Sequence, residues 1–273
     1  MSSLKTRVLV SVVGIPLLLW VVLWAPKIVM MAALCLLAGI GAVELQQCVS
    51  QKKKSGLIGM SGIVAVFTVN WYYERPEQIG LLMILYVVLF FGYAIVKGGE
   101  IKFHQIMAGL FGSFAIGYSF SAFLRMEAAG YHRVWLLLPF ILSFACDTFA
   151  YFVGCSIGKH KLAPKVSPKK SVEGAIGGLL GNMLAGMLFL WALVRFGGGT
   201  MDGSSGYGMM ALMGLFCGVV SQIGDLSFSL IKREFGIKDY GKLFLAHGGV
   251  LDRFDSVLFV APVIELVLKL KLF

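Results

Sequence analysis

Charged side chains crowd one stretch of an otherwise oily chain. Between Ser221 and Ser256 stand Asp225, Lys232, Arg233, Lys238, Asp239, Lys242, His247, Asp252, Arg253 and Asp255, and five of the chain's 14 acidic residues, Glu234 included, fall there. A charge beside hydrocarbon is costly, so ionisable residues among apolar segments point to function. Carboxylates are hard oxygen ligands for a divalent cation, while Lys and Arg hold phosphate oxygens. Their interleaving implies metal-assisted phosphoryl or nucleotidyl chemistry. If a helix begins near Val250, Asp252 and Asp255 stand three apart on one face, with their charge at its positive end. His247-Gly248-Gly249 reads as a turn whose backbone N–H groups can approach a phosphate. A helix cap or a surface ion pair would account for any one of these residues but not for the whole group.

Two more polar groups precede this one. Asp147, in Cys146-Asp147-Thr148-Phe149-Ala150-Tyr151, lies near the middle of an apolar run. A carboxylate there costs about 2.5–3.5 kcal/mol on insertion scales, and it is read as lining a site rather than as a structural pair. The loop from Lys159 to Ser171 carries five lysines and one histidine. Its end, Ser167-Pro168-Lys169-Lys170-Ser171, meets a predicted helix that Ser171 can cap, with Glu173 in the first turn. A helix N-terminus flanked by lysines suits a polyphosphate.

These residues need a membrane scaffold to position them. With 58% hydrophobic and 14% charged residues in 273, the chain is too apolar and too poor in charge for a soluble domain. An all-α, polytopic integral membrane protein is expected, with about nine transmembrane helices near 8–25, 28–46, 57–73, 79–97, 103–124, 134–157, 174–196, 208–231 and 250–270. The first run follows Lys5 and Arg7 without a small-residue cleavage site, which makes it a retained anchor. With the N-terminus in the cytoplasm, seventeen of the 24 Lys and Arg fall in inside segments, as the positive-inside rule requires. Both charge-dense loops then face the cytoplasm. Residues 1–130 read as a scaffold for dimer or lipid contacts, and 131–273 as the catalytic region. Gly174, Gly177, Gly178, Gly181 and Gly186 are expected to let helices approach closely. Gly197 to Gly206 reads as a flexible outside loop.

The net charge of +10 fits basic loops on anionic headgroups, and nucleic acid is not expected as a partner. The five cysteines show no paired spacing and read as small core residues.

Three segments together resemble a known family. Ser229-x-Ile231-Lys232-Arg233, Lys238-Asp239-x-Gly241 and His247-Gly248-Gly249-x-x-Asp252-Arg253-x-Asp255 are similar to the signature of the phosphatidate cytidylyltransferases (CDP-diacylglycerol synthases). Asp147 with its neighbours, and Ser167 to Gly174, match the family's second region. Leu245 departs from the small residue or proline usual there. The resemblance is specific over residues 140–260. It implies that CTP and phosphatidate give CDP-diacylglycerol and pyrophosphate, with Mg²⁺, in a homodimer of a bacterial inner membrane whose active site faces the cytoplasm. A second cation such as K⁺ is also implied. On this reading Asp225, Asp252 and Lys170 are catalytic, and Asp225 and Asp252, with Asp255 and Asp147 behind them, hold metal. Substrate falls to Lys169, Ser171, Glu173, Lys232, Arg233, Lys238, Asp239, His247, Gly248, Gly249 and Arg253. His247 receives no acid–base role.

Alternatives come from other classes. A cytidylyltransferase for an archaeol or polyprenol phosphate shares the metal logic. A transporter would gather its polar residues at the midplane, whereas here only Asp147 is deep. The D-G-x-x-A-R motif of CDP-alcohol phosphotransferases is absent. The topology has a direct test: cysteines placed at positions 165 and 242 of a cysteine-free variant should label from the same, cytoplasmic, side. Labelling from opposite sides would overturn the assignment of the seventh and eighth spans.

Overall fold

The computed structural model describes residues 3–51, 55–196, 203–243 and 248–270. The basic triplet Lys52 to Lys54, the segment 197–202 with Asp202, and His247 with Leu245 lie outside the described residues. Among the described residues nine helical rods stand where the nine apolar runs predict them. They are α1 (Ser3–Leu23), α2 (Lys27–Ser50), α3 (Gly56–Glu74), α4 (Ile79–Val96), the rod formed by α5 (Phe103–Phe111) and α6 (Gly117–Ala128), α7 (Leu138–Ile157), α8 (Val172–Phe196), α9 (Gly203–Glu234) and α10 (Leu251–Lys269). A π-helical turn, Gly112–Ile116, joins α5 to α6 without breaking the rod. Among the described residues seven helices are long and apolar enough to cross a bilayer. The protein is an all-α integral membrane protein. The run 197–206, expected as a loop throughout, enters α9 at Gly203.

One local element departs from expectation. The lysine-rich loop before α8 is a hairpin, in which β1 (Lys161–Ala163) pairs antiparallel with β2 (Ser167–Ser171). The turn at Pro164 and Lys165 reverses the chain, and Pro168 is tolerated because a two-stranded ribbon has only edges.

The chain divides into two compact units, one of residues 1–130 with 232–254, the other of 131–231 with 255–273. In the first, α2, α3 and the α5–α6 rod bury Leu45, Phe90, Phe120 and Phe123. Arg125 is buried there too, its guanidinium 4.2 and 4.6 Å from the ring centres of Tyr72 and Tyr118. Cation–π contact of this kind compensates a buried charge in part.

The second unit depends on glycine. Gly177 and Gly181 of α8 seat the side chains of Val153 and Phe149 of α7, and a Cβ on Gly178 would come within 2.9 Å of the Cys146 carbonyl. A Cβ on Gly214 of α9 would come within 2.5 Å of the carbonyl of Asn182, whose Nδ2 donates to the Gly214 carbonyl at 2.9 Å. Small residues at a helix contact permit this approach. Gly178→Val should therefore lower the melting temperature in detergent, at a cost of about 1–3 kcal/mol for overpacking. Gly59→Val, where no atom lies within 4 Å, should leave it unchanged.

Candidate active site

A cleft of about 600 Å³ opens in the second unit, and Asp147, Tyr151, Cys155, Lys161, Lys169, Lys170, Ser171, Gln222 and Asp225 are among its walls. Four elements bring these side chains together. α7 supplies Asp147 from mid-helix, the hairpin supplies the lysines, α8 begins at the cleft, and α9 supplies Gln222 and Asp225.

The local chemistry explains why they are held there. Ser171 ends β2 and caps α8, its Oγ accepting from Gly174 N at 3.1 Å, as the sequence suggests. The cap fixes Lys170, the preceding residue, whose Nζ pairs with Asp225 Oδ2. Ser229, one turn on from Asp225, donates to its Oδ1 at 3.4 Å. Both members of the Lys170–Asp225 pair are about a quarter exposed, so the pair faces the cleft and remains reachable. Glu173 is turned to another task. Its carboxylate accepts from Lys159 N at 3.1 Å and His160 N at 3.2 Å, and contacts His160 Nδ1 at 2.5 Å. It ties the start of the hairpin to the first turn of α8.

Gln222 locks the helices behind the cleft. Its Nε2 donates to the Ala175 carbonyl at 2.9 Å and to Cys146 Sγ at 3.6 Å, and Cys146 in turn donates to the Gly218 carbonyl. Asp147, the next residue, is exposed at the cleft wall.

A second polar cluster is built within the first unit. Lys232 Nζ meets Asp252 Oδ1 at 3.0 Å, and both side chains are largely buried. Asp252 Oδ2 accepts from Tyr240 N at 2.7 Å and Gly249 N at 2.9 Å. Gly248 has φ +83°, a conformation that L side chains rarely adopt, and a Cβ there would press on Asp252. The expected turn at 248–249 is thus present, and Asp252 holds it. Lys238, Asp239, Arg233 and Arg253 are exposed around the same segment. Asp255 accepts from Ser256 N at 2.7 Å, at the start of the second unit's part of α10. His247, expected among the substrate contacts, lies outside the described residues.

Glu44 is missing from the sequence reading. It is 5% exposed, and its oxygens accept from Val250 N and Leu251 N, each at 3.0 Å. A lone carboxylate in the uncharged run of α2 was the available signal.

The donor set bears on a metal. Among the described residues no three His, Cys, Asp or Glu side chains converge on one point. Two carboxylates, Asp147 and Asp225, share the cleft with lysines. This fits Mg²⁺, which keeps several waters and is held by one or two carboxylates plus substrate phosphates.

Fold and cleft define a membrane-embedded protein whose polar site is suited to anionic phosphates. The chain belongs to the cytidylyltransferase family, which it matches over residues 5–271. It is similar to the phosphatidate cytidylyltransferase of Bacillus subtilis (strain 168), with 28% identity over 99% of both chains. The phosphatidate cytidylyltransferases of Staphylococcus aureus (strain COL) and Staphylococcus haemolyticus (strain JCSC1435) are 30% and 28% identical, over 97% of this chain and 99% of theirs. The chain is a CTP-dependent nucleotidyltransferase.

The cap makes a stability prediction. Ser171→Ala should cost about 1 kcal/mol, the usual loss for a helix N-cap, and should lower the melting temperature. Thermal unfolding in detergent would check this; an unchanged midpoint would remove the cap from the account.

Proposed function

We propose that this enzyme transfers the CMP moiety of CTP to phosphatidate, at the cytoplasmic face of a bacterial plasma membrane, giving CDP-diacylglycerol and pyrophosphate. The observation that carries the reading is the cleft with two carboxylates and three lysines, Lys161, Lys169 and Lys170, in a chain that matches its family nearly end to end. A phosphate oxygen of phosphatidate attacks the α-phosphorus of CTP. A new P–O bond forms there, the bond to the β-phosphate breaks, and pyrophosphate departs with the electron pair. The lipid phosphate is already nucleophilic, so no Ser or Cys intermediate is required, and Cys155 at the cleft wall takes no part.

Both reactants are anions, and the site must hold them against their mutual repulsion. Lys169 and Lys170 supply positive charge at the capped start of α8. Lys232, Arg233, Lys238 and Arg253 hold nucleotide or lipid phosphates, a role taken from the family resemblance. Asp147 and Asp225 hold Mg²⁺, which when bound neutralises charge on the departing pyrophosphate. Lys170 pairs with Asp225 and orients it. Asp252, also expected to carry metal, contributes by shaping the turn at 248–249 and holding Lys232. K⁺ as a second cation and a homodimeric assembly belong to the same reading by resemblance.

Purified protein incubated with labelled CTP, phosphatidate and Mg²⁺ should form a CDP-lipid, chelation should abolish the product, and ATP should substitute poorly. Turnover only with a polyprenyl or archaeol phosphate would move the acceptor, and comparable turnover with ATP would overturn the nucleotide assignment. Asp225→Asn and Asp147→Asn keep the shape but remove the charge. Each should lower the rate about a hundredfold or more, at 1.36 kcal/mol per decade, and raise the Mg²⁺ requirement. Asp202→Asn should leave the rate unchanged. Normal Mg²⁺ dependence in Asp225→Asn would show that the metal is elsewhere.

A further inference from the structure

We infer that Glu44 is a positioning residue for the turn at 248–251, acting from α2 on the chain that leads into Asp252, the partner of Lys232, and into Arg253. The inference rests on the reading that Lys232 and Arg253 hold substrate phosphate.

The geometry is specific. Glu44 meets the two successive N–H groups of Val250 and Leu251, which lie 206 and 207 residues further along the chain. The first N–H groups of a helix have no partner within it, and the helix end carries partial positive charge. A carboxylate with two acceptor oxygens answers both N–H groups, which offsets the cost of its burial. Two glycines are shaped around it: a Cβ on Gly241 or on Gly249 would fall on the Glu44 carboxylate. Neither position needs glycine for a positive φ. At Gly249 the three nearest atoms to such a Cβ all belong to Glu44, and at Gly241 two of the three do.

The turn is therefore gripped from two directions. Glu44 holds Val250 and Leu251 from α2, while Asp252 holds Tyr240 and Gly249 from α10 and keeps Lys232 in place. All these residues lie in the first unit. Loss of either grip loosens the backbone at 248–251, and with it the placement of Asp252, its partner Lys232, and Arg253. Gln at position 44 has one acceptor oxygen and one amide that can only donate, so one of the two N–H groups would face a donor. Asp keeps the charge but retracts it by one methylene.

The test uses the full-length enzyme in lipid–detergent micelles. Glu44→Gln should raise the KM for CTP at least tenfold with a smaller effect on kcat, and should speed tryptic cleavage at the exposed Lys238 and Lys242 severalfold. Its global melting temperature should stay near that of the parent. Gly249→Ala should show the same defects, and Glu44→Asp added to Gly249→Ala should recover part of the activity by making room. A folded Glu44→Gln enzyme with parental KM and parental cleavage would overturn the inference. So would a loss of kcat that only tracks the loss of folded protein, or a double variant no better than Gly249→Ala. If the parent makes no CDP-lipid, the functional reading fails instead, and the cleavage rates and the double variant's protection still decide the role of Glu44.

Discussion

A carboxylate held among apolar helices must be met by donors, and much of the polar geometry here follows from how each is met. Asp225 takes Lys170 and Ser229, Glu173 takes the backbone of Lys159 and His160, Asp252 takes Lys232 with two N–H groups, and Glu44 takes the start of α10. Each pairing also fixes a piece of chain that would otherwise be a loose connection. The hairpin is tied to α8 by Glu173 and Ser171, and Tyr240 and the turn at 249–251 are tied down by Asp252 and Glu44. The carboxylates thus act as fasteners of the segments that carry the basic residues.

Close helix approach is the second condition. A cleft holding Asp147 and Lys170 needs α7 and α8 to run side by side with little between them, and the glycines of α8 permit this. In a bilayer, apolar contact between helices gains little over contact with lipid, so backbone proximity and interhelical hydrogen bonds carry more of the packing. The bonds made by Asn182 and Gln222 are of that kind. Nucleotidyl transfer asks for exact placement of two anions, and rigid helices fastened at short range provide it better than loops alone.

A lipid-metabolising enzyme must also meet its water-soluble and its membrane substrate at one place. Polar residues at the ends of spans, rather than at their centres, answer this requirement. Asp147, at mid-helix in α7 but open to the cleft, extends the polar surface inward without facing hydrocarbon unsupported.

Much of this was legible in the chain itself. Runs of about 20 apolar residues dictated nine helical rods, because in a bilayer the backbone must satisfy its own hydrogen bonds within each rod. Ser171 as a cap, the glycines as packing sites and the turn at Gly248 and Gly249 follow from local chemistry, which depends on neighbours in sequence. The hairpin at 161–171 was not legible, since four lysines and two prolines mask strand preference and the ribbon is stabilised by Glu173 from the following helix. Which carboxylate meets which cation was decided only by the tertiary structure. Lys170 pairs with Asp225, 55 residues on, and Lys232 with Asp252, 20 residues on, and nothing in their spacing marks these partners. Glu44 is the extreme case: its meaning depends on two backbone amides more than 200 residues away, a contact that exists only once α2 and the start of α10 have packed together.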